Sequence, residues 1–236
     1  MKNQYFGDIN DYRKYGLLRI LSDNGRIKTM VCWMLTDNDT RTDGKHISFL
    51  QKAETWRRFD PELFDFLQRC LKKDSRRVRN IEKSTIIPSS LFYSTIVTDS
   101  IAQREKYFSG LSSLASDCDL IFFDPDNGIE VKSRKYGAKL SCKYVYWNEL
   151  QASYRAGHSL LVYQHFPRVE HKNYIAMIAK NIQLNLNVNT VIALATSSVV
   201  YFLIPQTHSI EYYRKRMKLL QKVWEDNFLI VEKNAS

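Results

Sequence analysis

Glycine and proline are scarce in this sequence of 236 residues, with 8 and 5 occurrences. Disordered and low-complexity segments are commonly rich in these two residues, so their scarcity argues against long stretches of that kind. The hydrophobic share of 44% is enough to build a packed core, and the length suits one domain of the α/β type. Because no internal repeat or linker interrupts the pattern, we predict a single α/β domain over residues 1–236.

Cysteine is also rare, and its spacing excludes the usual cysteine-based scaffolds. Cys32, Cys70, Cys118 and Cys142 are far apart and form no C-x-x-C pair, which argues against a zinc finger or a disulfide framework. No apolar run approaches the ~20 residues that cross a bilayer. The first residues contain no apolar stretch of the kind found in signal peptides. We therefore expect a cytoplasmic protein with reduced thiols and no membrane partner.

The sequence has 25 Asp and Glu residues but 35 Lys and Arg residues, which gives a formal net charge of +10. A basic surface favours polyanionic partners, and nucleic acid is the commonest of these. We predict RNA or DNA as the partner. Two basic segments, 75–80 and 212–218, are the predicted phosphate-binding sites. The oligomeric state does not follow from the sequence.

Apolar runs of strand length alternate with longer segments of helical periodicity. The predicted strands cover 28–35, 91–97, 119–123, 159–166, 190–196, 199–205 and 228–233. The predicted helices include 46–53, 61–74, 98–116, 144–157, 170–186 and 209–227. Strands separated by helices indicate parallel βαβ units. The two late strands are separated by a pair of serines, which predicts an antiparallel hairpin.

Polar residues follow three of the predicted strands at their carboxyl ends. Asp37, Asn38 and Asp39 follow the first, residues 124–128 (DPDNG) follow the middle one, and the next ends in Gln164 and His165. A plain turn would explain each cluster separately, because Asp, Asn, Pro and Gly are common turn residues. In a parallel sheet, however, all three clusters lie on one edge, which is where open α/β sheets bind ligands.

The order of strand 119–123, helix, strand 159–166, helix and hairpin is similar to the second half of Rossmann-like S-adenosylmethionine-dependent methyltransferases. In members that act on nucleic-acid amino groups, a D/N-P-P-Y/F tetrad follows the corresponding strand, and Asp124 and Pro125 match its first two positions. Residues 7–21 resemble the helix before the first strand in bacterial ribosomal RNA adenine-N6 methyltransferases, with Asp11 and Lys14 at comparable places. On local grounds alone, Lys14 would be exposed.

The chain also resembles, over most of its length, a bacterial family that has no assigned activity. Members of that family carry a GD..D..KYGLLR start and a DPDNG.E centre, which this sequence has at 7–19 and 124–130. The methyltransferase resemblance implies the more specific function. It implies an α/β fold with a Rossmann-like, mostly parallel sheet and a C-terminal antiparallel hairpin.

The resemblance further implies a nucleic-acid-associated enzyme that transfers a methyl group from S-adenosylmethionine to a base. Asp124 would accept a hydrogen bond from the target amino group, and Asn127 would orient the base edge. The implied catalytic residues are Asp124, Pro125, Asn127 and His165. The implied cofactor-binding residues are Lys14, Asp37, Asp39 and Gly44.

Two alternatives remain open at this level. The acidic edge offers hard oxygen ligands, so Asp37, Asp124 and Asp126 could hold Mg²⁺ in a metal-dependent nuclease or phosphoesterase. The glycine-rich turn that normally follows the first strand of these methyltransferases is missing, since Gly44 stands alone and far from the strand end. That departure favours a catalytically inactive module that binds nucleic acid or protein.

Overall fold

Seven strands form the central sheet, which we describe from a computed structural model over residues 1–37, 46–73 and 76–235. The strands of the protein are β1 (Thr29–Cys32), β2 (Ser90–Tyr93), β3 (Leu120–Phe123), β4 (Gly128–Ile129), β5 (Tyr144–Val145), β6 (Ser159–His165), β7 (Thr190–Ala195), β8 (Val199–Ile204) and β9 (Leu229–Asn234). The α-helices are α1 (Ile9–Ser22), α2 (Ala53–Trp56), α3 (Pro61–Lys72), α4 (Arg79–Glu82), α5 (Ile101–Ala115), α6 (Trp147–Arg155), α7 (His171–Leu186) and α8 (Ile210–Trp224). Strands β4 and β5 pair in a separate small sheet.

One half of the central sheet is parallel, with the strand order β2-β1-β3-β6. Every residue of β1 and of β3 is buried, as expected for parallel strands that are covered on both faces. Cys32, Phe123 and Val162 lie side by side in register on β1, β3 and β6. The carboxyl ends of these strands therefore meet at one edge of the sheet, as the sequence predicts.

The other half of the sheet contains the predicted hairpin. Strand β8 lies between β6 and β7 and runs antiparallel to both, and β9 pairs antiparallel with β7 at the sheet edge. It follows from these pairings that β2, β1, β3, β6 and β7 all point the same way. The predicted fold class is confirmed: an α/β fold with a Rossmann-like, mostly parallel sheet and a C-terminal antiparallel hairpin.

Helices cover both faces of the sheet because the side chains of each strand alternate between two apolar clusters. Val31 and Trp33 point into a cluster that contains residues of α1, α3 and α8. Met30 and Cys32 point the other way, into a cluster that contains residues of α5, α6 and α7. The result is three layers, with the sheet in the middle. None of the helices in the described ranges has both the length and the apolar character needed to cross a bilayer.

Several predicted elements differ from the structure at their boundaries, and the predicted strand 91–97 ends at Tyr93. The apolar run 28–35 forms a strand only as far as Cys32, and Met34 takes a left-handed backbone conformation with φ of 45°. The predicted helix 46–53 is a 3-10 turn at Ser48–Gln51 followed by the short α2. The predicted helix from 144 begins only at Trp147, because the two residues of β5 pair with β4 instead.

A buried ion pair fixes the chain between β4 and α6. The Arg104 side chain is fully buried, and its Nε lies 2.5 Å from Glu149 Oε1. The same guanidinium donates to the Tyr144 carbonyl at 2.6 Å and to the Ser141 carbonyl at 3.3 Å. Glu149 in turn accepts from the Tyr146 amide at 2.8 Å. Helix α5 therefore holds the segment that returns from β4 to β5.

We expect Arg104→Met to destabilise the protein by about 3–5 kcal/mol, because it leaves the Glu149 carboxylate buried without its partner. Urea unfolding followed by circular dichroism measures the change. Lys106→Met is the matched control on the same helix, since Lys106 is exposed, and its effect should stay within ~0.5 kcal/mol. Equal effects of the two substitutions would contradict the assigned role of Arg104.

Candidate active site

The candidate site lies outside the carboxyl ends of β1 and β3. The chain leaves β1 for β2 on one side and returns to β3 on the other side of β1. This reversal is a topological switch point, and open α/β sheets bind ligands in the crevice that it creates. The DPDNG turn begins immediately after β3, so it borders this crevice.

Helix α1 supplies a buried cation to the crevice. Asp8 begins the helix as its N-cap, since its side chain accepts from the Asp11 amide at 2.9 Å. Asp11 and Lys14 then lie one turn apart on one side of the helix. The Lys14 Nζ lies 2.9 Å from Asp11 Oδ1 and 2.7 Å from Asp124 Oδ2. The expectation that Lys14 is exposed is wrong, because only 3% of its surface is accessible.

A second cation, the Met1 ammonium, lies in the crevice itself. It donates to the Met34 carbonyl at 3.3 Å and to the Asp124 carbonyl at 3.0 Å, which places it between the ends of β1 and β3. It also lies 2.8 Å from Asp126 Oδ1. The other oxygen of Asp126 accepts from the Thr36 hydroxyl at 3.0 Å. Two carboxylates of the DPDNG turn are thus paired with two different buried cations.

The charges of the cluster shift one another's pKa values. Burial alone would lower the pKa of Lys14, but Asp11 and Asp124 outweigh it and raise that pKa well above its usual value. Burial raises the pKa of Asp124, and Lys14 opposes this shift. Burial would also raise the pKa of Asp126, but the Met1 ammonium lowers it below the ordinary value.

Asp8 is the group of the cluster that titrates near neutral pH. Burial and the nearby charge of Asp11 raise the pKa of Asp8 to about 7, although hydrogen bonds from backbone amides and the charge of Lys14 oppose the shift. A carboxyl group with this pKa can take up or release a proton at physiological pH.

The backbone of the DPDNG turn is held by β6. Gly128 has a φ of 116°, and a Cβ at this position would come within 2.2 Å of the Gln164 side chain. Gln164 accepts from the Ile129 amide at 2.8 Å and donates to the Asn127 carbonyl at 3.1 Å. Glycine is therefore required at 128 both for its conformation and for space. This contact locks the turn that carries Asp124 and Asp126 onto the next strand.

A cavity of about 60 Å³ adjoins the cluster. Its lining includes Tyr5, Asp8, Asp11, Lys14, Asp124 and Tyr163. Ligand pockets usually measure ~300–1,000 Å³, so this space admits water or an amino group rather than a whole nucleobase or cofactor. Since Met1 and Tyr5 form part of its wall, the N-terminal residues close the crevice in this structure.

The structure brings some of the predicted site residues together and leaves others apart. Lys14, Asp124 and Pro125 line the cavity. Asp37 and His165 lie on the same sheet edge, but both are exposed, and the His165 ring contacts the Phe166 carbonyl at 2.8 Å. The hydrogen bonds that Asn127 forms in the turn are made by its backbone amide and carbonyl. The predicted cofactor residues Asp39 and Gly44 lie outside the described residues.

The alternative metal site lacks a suitable ligand set in the described residues. No three or more His, Cys, Asp or Glu side chains in those ranges are arranged to hold a metal ion. Of the proposed ligands, Asp124 and Asp126 are already paired with ammonium groups, and Asp37 is exposed at the edge.

The sequence alone did not identify Met1, Tyr5, Asp8 or Tyr163 as residues of this site. Asp8 is the N-cap of α1 in the structure, a role that by itself does not indicate a site. The spacing of Asp8, Asp11 and Lys14 could have indicated a functional site, because it places three ionisable groups at the start of one helix. For Met1 the sequence gives no signal, because its position depends on how the first residues fold back onto the sheet.

Comparisons with known proteins add a distant structural likeness. No family model matches the sequence, and no curated protein sequence matches it. Among solved structures, the chain is similar to the crystal structure of protein LPL1258 from Legionella pneumophila str. Philadelphia 1, described under the family model DUF519. The two share 12% identity with a TM-score of 0.47, over 98% of this chain and 97% of that one.

We expect Lys14→Met to destabilise the protein by about 3–5 kcal/mol, because Asp11 and Asp124 would then share a buried site without their cation. The double variant Lys14→Met/Asp124→Asn should be more stable than the single variant, since one of the two unpaired charges is gone. Urea unfolding of both variants measures this difference. A double variant that is less stable than Lys14→Met would contradict the pairing. Lys132→Met, at an exposed position, is the control.

Because of Asp8, the free energy of unfolding should fall as the pH rises from about 4 to about 7. Its pKa of about 7 in the folded protein exceeds the ordinary 3.8, so folding favours the protonated form. The stabilisation is complete below pH ~4 and is lost as the pH rises to ~7, at up to about 1.4 kcal/mol per pH unit.

Asp8→Asn keeps an N-cap acceptor but cannot ionise. The difference in unfolding free energy between this variant and the parent protein should favour the variant more at pH 8 than at pH 5. Urea unfolding at both pH values measures it. Asp117→Asn, with an 81% exposed side chain, should show no such pH-dependent difference. The same relative stability of Asp8→Asn at both pH values would refute the raised pKa.

Proposed function

We propose that this protein is a nucleic-acid-associated enzyme of methyltransferase-like fold, which transfers a methyl group from S-adenosylmethionine to an amino group of a base. The observation that carries the proposal is the position of Asp124. It follows β3 at the switch point, lines the cavity, and is paired with Lys14 from the helix that precedes β1. Both residues are positions at which the sequence resembles the amino methyltransferases. The net charge of +10 supports a nucleic acid as the substrate.

The fit of the cofactor can be judged from the group that occupies the crevice. S-adenosylmethionine is a methionine whose sulfur carries an adenosyl and a methyl group, and it keeps the α-ammonium. In this structure Met1 places an α-ammonium between the Met34 and Asp124 carbonyls, and its sulfur lies 3.6 Å from Lys14 Nζ. The two carbonyls therefore fit the α-ammonium of the cofactor chemically, whereas the Lys14 ammonium would repel the positively charged sulfonium. Met34, Asp124 and Asp126 would hold the α-ammonium once Met1 has moved aside.

When bound, the cofactor supplies an electrophilic methyl group. Side chains of this protein orient the target amino group and accept its proton. Asp124 accepts a hydrogen bond from the target amino group and thereby orients the nitrogen lone pair. Lys14 forms an ion pair with Asp124 and opposes the rise in the pKa of Asp124 that burial causes. Asp8 has a pKa of about 7, so at neutral pH it can accept the proton that the amino group must lose.

A second candidate function is favoured by the closed crevice. Met1 fills the place where the cofactor would lie, Lys14 already satisfies Asp124, and the remaining cavity is only about 60 Å³. A protein that keeps this arrangement permanently would be a nucleic-acid-binding module without catalytic activity. The two candidates differ in whether the N-terminal residues leave the crevice.

Thermal unfolding with added ligands separates these functions. On the main proposal, S-adenosylmethionine and S-adenosylhomocysteine each raise the unfolding midpoint, since a ligand at 100 times its Kd stabilises by about 2.7 kcal/mol. Methyl transfer to RNA or DNA is then measured with a labelled methyl group and should be lost in Asp124→Asn.

Other outcomes of these experiments would contradict the methyl-transfer proposal. A shift with Mg²⁺ or Mn²⁺ alone would overturn methyl transfer in favour of metal-dependent hydrolysis. Retention on nucleic acid with no response to either cofactor would overturn it in favour of the binding module.

A further inference from the structure

A strongly basic loop lies beside the candidate site. The connection from β4 to β5 consists of Glu130 and of residues 131–143 (VKSRKYGAKLSCK), and we define the latter as the basic loop. Five of its thirteen residues are Lys or Arg, and none is Asp or Glu. The sequence-based prediction placed the phosphate contacts elsewhere, at 75–80 and 212–218.

The cations of the basic loop are largely free to bind an external anion. Lys132, Lys135 and Lys139 are exposed, and they form no ion pair within the described part of the chain. Lys143 is the exception, with its Nζ 3.8 Å from Asp126 Oδ2. Burying or pairing these charges would have neutralised the loop, so their exposure leaves a net positive surface.

The backbone of the basic loop is fixed although its lysine side chains are exposed. The Asp99 carboxylate accepts from the Leu140 and Cys142 amides, each at 2.8 Å. The Arg134 guanidinium donates to the Lys139 carbonyl at 3.0 Å. The buried Arg104 holds the carbonyl of Ser141 at the end of the loop. A fixed backbone lowers the entropy that is lost when phosphates bind.

The loop is also joined to the site. It begins one residue after β4, whose Ile129 amide donates to Gln164, and it ends at Lys143 next to Asp126. A nucleic acid lying along the loop would thus pass the carboxyl end of β3. Arg168 and Lys172, which follow the carboxyl end of β6 in the chain, are also exposed.

Of the two segments that the sequence favoured, the one on α8 is less suitable than the basic loop. On α8, Arg214 is paired with Glu211 and Glu232, and Arg216 Nη1 lies 2.7 Å from Asp23. Only the lysines of that helix, at 215, 218 and 222, keep exposed charges. In the segment 75–80, Arg76 donates to the Phe6 carbonyl at 3.0 Å. Carboxylates therefore take up the charge of the two arginines of α8, whereas Arg77 and Arg79 of the segment 75–80 are exposed.

We propose that the basic loop is the surface that binds the phosphate backbone of the nucleic acid and positions it over the cavity. This inference rests on the nucleic-acid partner of the proposed function, but it does not require the cofactor. It predicts that three loop lysines contribute more to binding than three equally exposed lysines of α8.

Fluorescence anisotropy with a labelled RNA hairpin and a DNA duplex tests this prediction at several salt concentrations. The loop variant is Lys132→Gln/Lys135→Gln/Lys139→Gln, and the matched control is Lys215→Gln/Lys218→Gln/Lys222→Gln. Both variants lose three exposed charges. The loop variant should bind at least ~10-fold more weakly, and its log–log salt slope should fall by up to ~3, at about 0.9 per phosphate contact. The control should bind within ~3-fold of the parent protein.

Equal weakening in the two variants would overturn the proposal, because net charge alone would then account for binding. Weakening in the α8 variant alone would place the surface on that helix. Stronger retention on vesicles that contain an anionic lipid than on either nucleic acid would identify a membrane surface instead. Unchanged unfolding midpoints show that both variants are folded. Loop-dependent binding without a cofactor response would leave this inference standing while the methyl-transfer proposal fails.

Discussion

The structure depends on the buried contact between Lys14 and Asp124. It joins the helix before the first strand to the turn after the third, which are 110 residues apart in the chain. Taking two charges out of water costs several kcal/mol, and their attraction offsets this only when the geometry is good and the remaining polar atoms are bonded. Asp11 completes that requirement, because its carboxylate also accepts from Tyr15 and Gly7. An apolar pair would join the same elements without the cost of removing charges from water, so the fold alone does not require this ion pair.

The fold and the location of the site could be predicted from the sequence. The apolar runs fix the strands, the intervening helices make them parallel, and the parallel direction brings Asp37, Asp124 and His165 to one edge. Which of these side chains point into the crevice could not be predicted, since a strand end leaves the direction of the following turn open. The structure turns Asp37 and His165 outward, and the hydrogen bonds of Gln164 set the path of the turn.

The burial of Lys14 and the pKa of Asp8 were not predictable for a different reason. A lysine near the start of a helix that follows a polar N-terminus is expected to be solvent-exposed, on the assumption that one face of the helix meets water. Helix α1 departs from this assumption, since α3 and α8 pack beside it and residues 1–7 cover its start. The pKa of Asp8 then follows from this burial and from Asp11. Both properties are consequences of tertiary packing around one helix.

The closed crevice links stability to ligand binding. The Met34 and Asp124 carbonyls and the Asp126 carboxylate hold the Met1 ammonium, and the same atoms would hold the ammonium of a cofactor. The two occupants exclude each other, so every contact that stabilises the closed form weakens the apparent affinity for the ligand. The apparent Kd rises in inverse proportion to the fraction of molecules that are open. The cluster can therefore act as a methyltransferase site only if Met1 binds weakly enough to leave, and it acts as a scaffold if Met1 does not.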